Sequence, residues 1–109
     1  MPFIDLENKE RKIVYECLYA VVYGPFIPNH EFHSLFGIER EDVKLILDML
    51  PDIDDSILNA KLAINNSMLN LWGYPHECET EWQNWLSVAP SEVFRILEKW
   101  KHGVTWPDS

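Results

Sequence analysis

Pairs of potential metal ligands occur at two places in the sequence: one pair is two histidines, and the other is a histidine and a cysteine. His30 and His33 are three residues apart, and His76 and Cys78 are two residues apart. Imidazole nitrogen and thiolate sulfur are ligands that zinc favours. The second pair has no further ligand about two to four residues on, so the spacing matches no common zinc site. We therefore predict that the protein binds no metal and no cofactor, with Cys78 as a packed thiol.

Three aspartates, Asp52, Asp54 and Asp55, resemble the start of a calcium-binding loop. An EF-hand loop beginning at Asp52 needs glycine at its sixth position and glutamate at its twelfth. Ile57 and Ala63 occupy those positions. We therefore exclude an EF-hand and interpret the aspartates as helix caps, with the surplus charge exposed to solvent.

Signatures of nucleophilic catalysis and phosphate binding are absent from the sequence. There is no G-x-S-x-G motif, no P-loop and no dinucleotide-binding fingerprint. Ser34 directly follows His33, but adjacency along the chain does not place a base in hydrogen-bonding reach of its nucleophile. We predict that the protein is not an enzyme and that it acts by binding.

The 109 residues carry a formal net charge of −9, from 18 acidic and 9 basic side chains. This charge repels nucleic-acid phosphates and favours a basic partner, although solubility alone would also explain it. Apolar residues make up 47% of the chain, yet no apolar run approaches the ~20 residues of a membrane helix. With two cysteines and no signal sequence, we predict a cytoplasmic protein that binds neither nucleic acid nor membrane.

The longest segment with helical periodicity is DDSILNAKLAINNSMLNLWGYPH, residues 54–76. Its apolar residues recur at offsets of three, four and seven, as on a helix with a wide buried face. Two aspartates and a serine open it, where free N–H groups favour them. Gly73 can adopt the left-handed stop, and Pro75 prevents continuation. The pattern predicts a central helix at about residues 55–72.

Capping residues and helix breakers predict five further helices. Asp5 caps the first, Asn29 caps the second, and Thr80 begins a capping box for the fifth. The third is apolar on more than half of its circumference, which is typical of a helix packed on two sides. The predicted ranges, in chain order, are about 5–22, 30–36, 39–50, 55–72, 80–88 and 90–102, followed by a flexible tail at 104–109.

These helices predict an all-α fold, with residues 1–109 forming one compact domain of five to six helices around the central one. No convincing strand-like alternation of apolar and polar residues occurs. The predicted core draws on most of the helices and consists of Val14, Leu18, Val21, Phe36, Ile46, Leu50, Leu62, Met68, Leu69, Phe94 and Leu97.

Asparagine is unusually frequent in the central helix, although its amide competes with the backbone for hydrogen bonds. Asn65 and Asn66 are adjacent and cannot point the same way, so at least one is expected to turn inward. A buried amide needs hydrogen-bond partners. We expect it to hold a neighbouring loop, such as residues 74–76, in preference to a ligand.

Acidic residues are concentrated on the third helix and on the turn before the central helix. Glu41 and Asp48 are seven residues apart and share one helical edge, with Lys44 between them. Trp82 and Trp85 also stand beside acidic residues, either as anchors for a partner or as the inner face of a short helix. We predict a partner-binding surface, with a merely solvated face as the alternative. Its residues are Glu39, Glu41, Asp42, Asp48, Asp52, Asp54 and Asp55.

Two segments, FHSLFGIEREDVKLILDMLPDID and LAINNSMLNLWGYPH, resemble small, helical, acidic bacterial proteins of the toxin-immunity type. The resemblance covers about residues 32–76. Some proteins of this kind act in contact-dependent growth inhibition or related polymorphic toxin systems. The resemblance implies a cytosolic antidote that binds a toxin domain from the same lineage, and it implies no particular binding residues.

Charge and resemblance together predict a non-enzymatic immunity protein. Its acidic surface would bind a basic toxin domain, such as a nuclease, and cover the active cleft. Charge would accelerate association, and buried aromatic side chains would slow dissociation. The alternative is a helical adaptor or regulator that binds another host protein. A toxin gene immediately upstream would favour immunity.

Overall fold

Glutamate caps, glycine and proline divide the chain into short helices. The computed structural model describes Phe3 and residues 5–103, and this part of the chain contains helices and no strand. The all-α prediction is therefore confirmed. The helices are α1 (Asn8–Tyr23), α2 (Asn29–Phe36), α3 (Arg40–Met49), α4 (Leu58–Gly73), α5 (Trp82–Trp85) and α6 (Pro90–Lys101). The predicted tail at 104–109 lies outside the described residues.

Helix α4 occupies the centre of the bundle, as predicted, and packs against α1, α2, α3 and α6. Ala60, Ala63 and Ser67 are fully buried on this helix, and their small side chains leave room for larger neighbours. Ile64 and Met68 fill much of the remaining inward surface. One helix therefore connects most of the elements that form the core.

Both ends of α4 differ from the prediction. The predicted acidic cap does not form, because the helix begins at Leu58, after an extended Ile57 without a side-chain cap. Gly73 is the last helical residue and does not adopt the left-handed conformation. The helix ends there because Pro75 disfavours helical angles in the preceding residue, Tyr74, which is extended.

The first and fifth helices also begin differently from the prediction. Glu7, and not Asp5, caps α1. Glu7 accepts a hydrogen bond from the Glu10 N–H, and the Glu10 carboxylate accepts the Glu7 N–H at 2.9 Å. The predicted capping box at Thr80 does not form, and α5 is a single turn. Glu7 and Glu10 cap α1 in place of Asp5 because the carboxylate of each accepts the backbone N–H of the other.

Most of the predicted core is buried. Its buried members are Val14, Leu18, Val21, Phe36, Ile46, Met68 and Leu97. Leu50, Leu62 and Phe94 are half-buried at the edge of the core. The prediction is wrong for Leu69, which is 38% exposed. Ala60, Ile64, Ser67 and Leu71 form the buried face of α4, and at about 100° per residue Leu69 lies on the opposite side of the helix.

Asn66 is an inward-pointing asparagine of α4, and it holds a different turn from the predicted one. Its Nδ2 donates a hydrogen bond to the carbonyl oxygen of Phe36 at 2.9 Å, at the end of α2. Gly37 follows with φ 75°, the left-handed conformation that glycine adopts without strain. The amide and the glycine together determine the turn from α2 into α3.

Candidate protein-binding surface

Arg40 fixes the start of α3, the helix that carries Glu41, Asp42 and Asp48 of the predicted acidic surface. Its guanidinium donates to the carbonyl oxygens of Val21 at 2.6 Å and Ile27 at 2.7 Å. A third bond, 2.8 Å long, reaches Oδ1 of Asn29, which is the first residue of α2 and not its predicted cap. The charge lies 4.4 Å from the Phe32 ring centroid. This set of contacts cannot be predicted from residue types, because most of its acceptors are backbone carbonyls.

The outer face of α3 combines charged and apolar side chains. Glu41, Lys44, Leu45, Asp48 and Met49 are all exposed, Leu45 to 62%. The predicted two-sided packing of α3 is therefore wrong. Leu45 lies four residues after Glu41 and three before Asp48, so it shares their helical edge. Lys44 and Asp48 form an ion pair at 3.1 Å, and this hydrogen bond raises the pKa of Lys44.

Glu39 and Asp42 have partners at the start of α3. The Asp42 carboxylate accepts the Glu39 N–H at 2.9 Å, and the two residues form a reciprocal capping box. Glu39 also lies 2.6 Å from Nδ1 of His33. Because both carboxylates already stabilise the helix start, a partner would have to compete with these contacts.

The connector between α3 and α4 exposes Asp52 and Asp54. Asp54 accepts hydrogen bonds from the hydroxyl and the N–H of Ser56, and these bonds lower the pKa of its carboxyl group. Ile57 and Leu58 follow immediately and are 52% and 48% exposed. Exposed apolar side chains therefore follow the carboxylates here, and on α3 they stand beside them.

Asp55 is buried, so its predicted place on the partner-binding surface is wrong. Only 1% of the residue is exposed. Its Oδ2 accepts the Phe3 N–H at 2.8 Å and the indole N–H of Trp100 at 3.0 Å. The carboxylate turns inward because these two donors need an acceptor in the core. Asp55 thus has a structural role between the N-terminal segment and α6.

The remaining candidates form one continuous stretch, residues 39–58, which we call the acidic segment. The carboxylates of Glu41 and Asp52 make no ion pair with any residue that the structure describes. The exposed apolar members of the segment are Leu45, Met49, Ile57 and Leu58. The predicted two-sided packing of α3 would have buried Leu45 and Met49, whereas their position beside Glu41 and Asp48 favours exposure.

A row of aromatic side chains lies on another face. Tyr15, Tyr19 and Tyr23 of α1 are 42–49% exposed, and Tyr19 contacts both of the other rings. The Trp85 ring centroid lies 6.1 Å from that of Tyr19. Trp85 and Trp82 are both half-buried against the core. Their packing role is therefore established, whereas a role as partner anchors stays a prediction.

The histidines considered for zinc make other contacts. His33 pairs with Glu39, and Nδ1 of His76 accepts the Cys78 N–H at 3.0 Å. In the described part of the chain, no three His, Cys, Asp or Glu side chains gather as a metal site would require. No helix of that part has the length and apolar character to cross a membrane. No family model, curated protein or solved structure matches this chain.

Proposed function

We propose that this protein binds a basic toxin domain through the acidic segment and neutralises it without catalysis. The observation that carries the proposal is that exposed apolar side chains stand next to exposed carboxylates along the segment. Leu45 and Met49 stand beside Asp48 on α3, and Ile57 and Leu58 follow the acidic connector. Exposed apolar residues rimmed by polar groups are typical of protein interfaces.

Charge favours a basic partner. The chain has a net charge of −9, and the acidic segment exposes Glu41, Asp48, Asp52 and Asp54. These carboxylates act over about 8–10 Å at moderate salt, so they steer a basic surface into position before contact. Nuclease clefts are basic because they bind phosphates. A protein that covers such a cleft would exclude the nucleic acid.

Apolar burial would determine how long the complex lasts. Fully burying a leucine, isoleucine or methionine side chain contributes about 1.5–3 kcal/mol. Leu45, Met49, Ile57 and Leu58 are each exposed to about half or more, so each could contribute roughly 1 kcal/mol on binding. This contribution acts mainly on dissociation, whereas charge acts mainly on association.

The choice of a toxin as partner rests on the resemblance of residues 32–76 to immunity proteins. To test it, the chain is expressed with the product of the adjacent gene, and binding and protection from toxicity are measured. The test variant combines Glu41→Gln, Asp48→Asn and Asp52→Asn. A control with the same change of charge combines Asp5→Asn, Glu77→Gln and Glu81→Gln, which lie outside the acidic segment and are also exposed.

We expect the test variant to associate about tenfold more slowly with the partner and to lose much of its salt dependence. The control should stay close to the unmodified chain. Equal protection and equal rates for both variants would reject the acidic segment as the interface. A non-toxic neighbour that binds the segment would reject immunity and identify an adaptor, and absence of binding would reject both.

A further inference from the structure

A cleft of about 460 Å³ lies where α4 ends. Its lining includes Trp72, Tyr74, His76, Trp82 and Glu79, and among the described residues no lysine or arginine lines it. None of the residues that line it belongs to the acidic segment. The cleft is therefore a different site from the proposed interface, and what it binds does not depend on the proposed function.

The two tryptophans of the cleft are held by residues that do not line it. The Trp82 indole N–H donates to the carbonyl oxygen of Val88 at 2.7 Å. Trp72 stacks on Phe94, with ring centroids 4.2 Å apart. One face of the Trp72 ring therefore packs on the protein, while 45% of the residue stays exposed.

Tyr74 and His76 are held by hydrogen bonds. The Tyr74 hydroxyl donates to the Glu31 carboxylate. A backbone N–H can only donate, so Nδ1 of His76 is the acceptor of the Cys78 N–H, and the ring proton lies on Nε2. That nitrogen faces the Leu71 carbonyl oxygen at 3.2 Å. The imidazole is neutral in this arrangement and adds no positive charge to the cleft.

Aromatic walls with a carboxylate attract a specific class of ligand. The faces of Trp and Tyr rings carry negative electrostatic potential, which favours cations. The Glu79 carboxylate has no cationic partner among the described residues, and Glu77 and Glu81 add negative charge nearby. An anion would be repelled. An ammonium group with alkyl substituents matches both the apolar rings and the charge.

We propose that this cleft binds an alkylated ammonium group, carried by a small molecule such as choline or by a methylated lysine side chain. The rings contact the methyl groups, and Glu79 compensates the positive charge. Because the rings are already positioned, binding does not require their ordering, which is a cost that weakens many complexes. The chemistry is that of the aromatic cages that recognise quaternary ammonium ions.

The test is calorimetric titration of the full chain with choline and with its neutral carbon isostere, in which a quaternary carbon replaces the nitrogen. We expect choline to bind saturably and about three- to thirtyfold more tightly than the isostere. Glu79→Gln should weaken choline binding and leave the isostere unaffected. Trp72→Leu should weaken choline binding by a similar factor.

Two control variants match these substitutions outside the cleft. Asp52→Asn removes an exposed carboxylate of the acidic segment, and Tyr15→Leu removes a ring that is 43% exposed, close to the 45% of Trp72. Both should bind choline as the unmodified chain does. Circular dichroism confirms that each variant is folded, and Glu79→Gln changes only an exposed side chain.

A trimethyl-lysine peptide distinguishes the two sources of the cation. Tighter binding of this peptide than of choline indicates that the ligand is a methylated protein. Tighter binding of choline indicates that it is a small molecule. Either result supports the proposal. Equal affinities for choline and the isostere would overturn it. Absence of saturable binding of both cations at millimolar concentration, or unchanged binding by Trp72→Leu and Glu79→Gln, would overturn it as well.

Discussion

Asp55 connects three parts of the chain through a single oxygen atom. It lies in the connector before α4, and its Oδ2 accepts hydrogen bonds from the Phe3 N–H and from the indole of Trp100 on α6. All three residues are buried. One carboxylate oxygen can accept two hydrogen bonds, so Asp55 satisfies two donors that are removed from water.

We predict that Asp55→Ala lowers the free energy of unfolding substantially. Each buried donor left without an acceptor costs about 1–3 kcal/mol, and this substitution leaves two such donors. The matched control is Asp54→Ala, which removes the adjacent, exposed carboxylate and its hydrogen bonds to Ser56. Urea denaturation of both variants measures the difference. Equal losses would contradict the role assigned to Asp55.

Local patterns could not distinguish these two aspartates. Both precede the same helix, and both suit a cap by residue type. The donors that bury Asp55 lie 52 and 45 residues away in the sequence. By contrast, the prediction that Glu41 and Asp48 share one helical edge depends only on their spacing along the helix. Both residues are exposed on α3, as that spacing requires.

At the scale of the elements, the sequence predicts where helices form, but it often does not predict which face of a helix is buried. Gly37 and Pro75 end α2 and α4 by their own backbone preferences, which a sequence reveals. Helix α4 has apolar residues around most of its circumference, so periodicity alone does not select its buried face. The link from Asn66 to the end of α2 spans 30 residues and is invisible to local analysis.

Neighbouring residues of α4 provide a direct test of its orientation. Met68 is fully buried, whereas Leu69 is 38% exposed. We predict that Met68→Ala costs about 2–5 kcal/mol of unfolding free energy, because it leaves a cavity in the core. Leu69→Ala should cost less than about 1.5 kcal/mol, since much of that side chain already contacts water. Thermal denaturation compares the two, and a larger loss for Leu69→Ala would reverse the assigned orientation.

At the scale of the whole molecule, an ion cluster around one buried carboxylate joins α1 and α6. Glu10 of α1 accepts hydrogen bonds from Lys99 at 2.8 Å and from Arg95 at 3.1 Å, both on α6. Only 3% of the Glu10 side chain is exposed. The hydrogen bond from Lys99 is the largest influence on this carboxyl group, followed by burial, which acts in the opposite direction. The net effect lowers its pKa from 4.5 to about 2.

The cluster predicts how stability depends on pH. A pKa that is lower in the folded state than in the unfolded state means that the ionised group stabilises the fold. That stabilisation is complete above the unfolded value of 4.5 and is lost as the pH falls toward about 2. Protonation of the many other carboxylates also changes stability in this range, because it reduces the net charge of −9. The contribution of Glu10 therefore has to be measured as a difference.

Glu10→Gln provides that difference, because glutamine has the shape of a protonated glutamate. We predict that the variant is less stable at pH 7 by about 1.5–3 kcal/mol, the usual contribution of hydrogen bonds to a charged group. The gap between the two proteins should stay constant down to about pH 5 and shrink between about pH 4.5 and 2, where Glu10 itself becomes neutral. Urea denaturation at a series of pH values measures it. A gap that persists unchanged at pH 2 would show that the shape of the site, and not the charge of Glu10, holds α1 against α6.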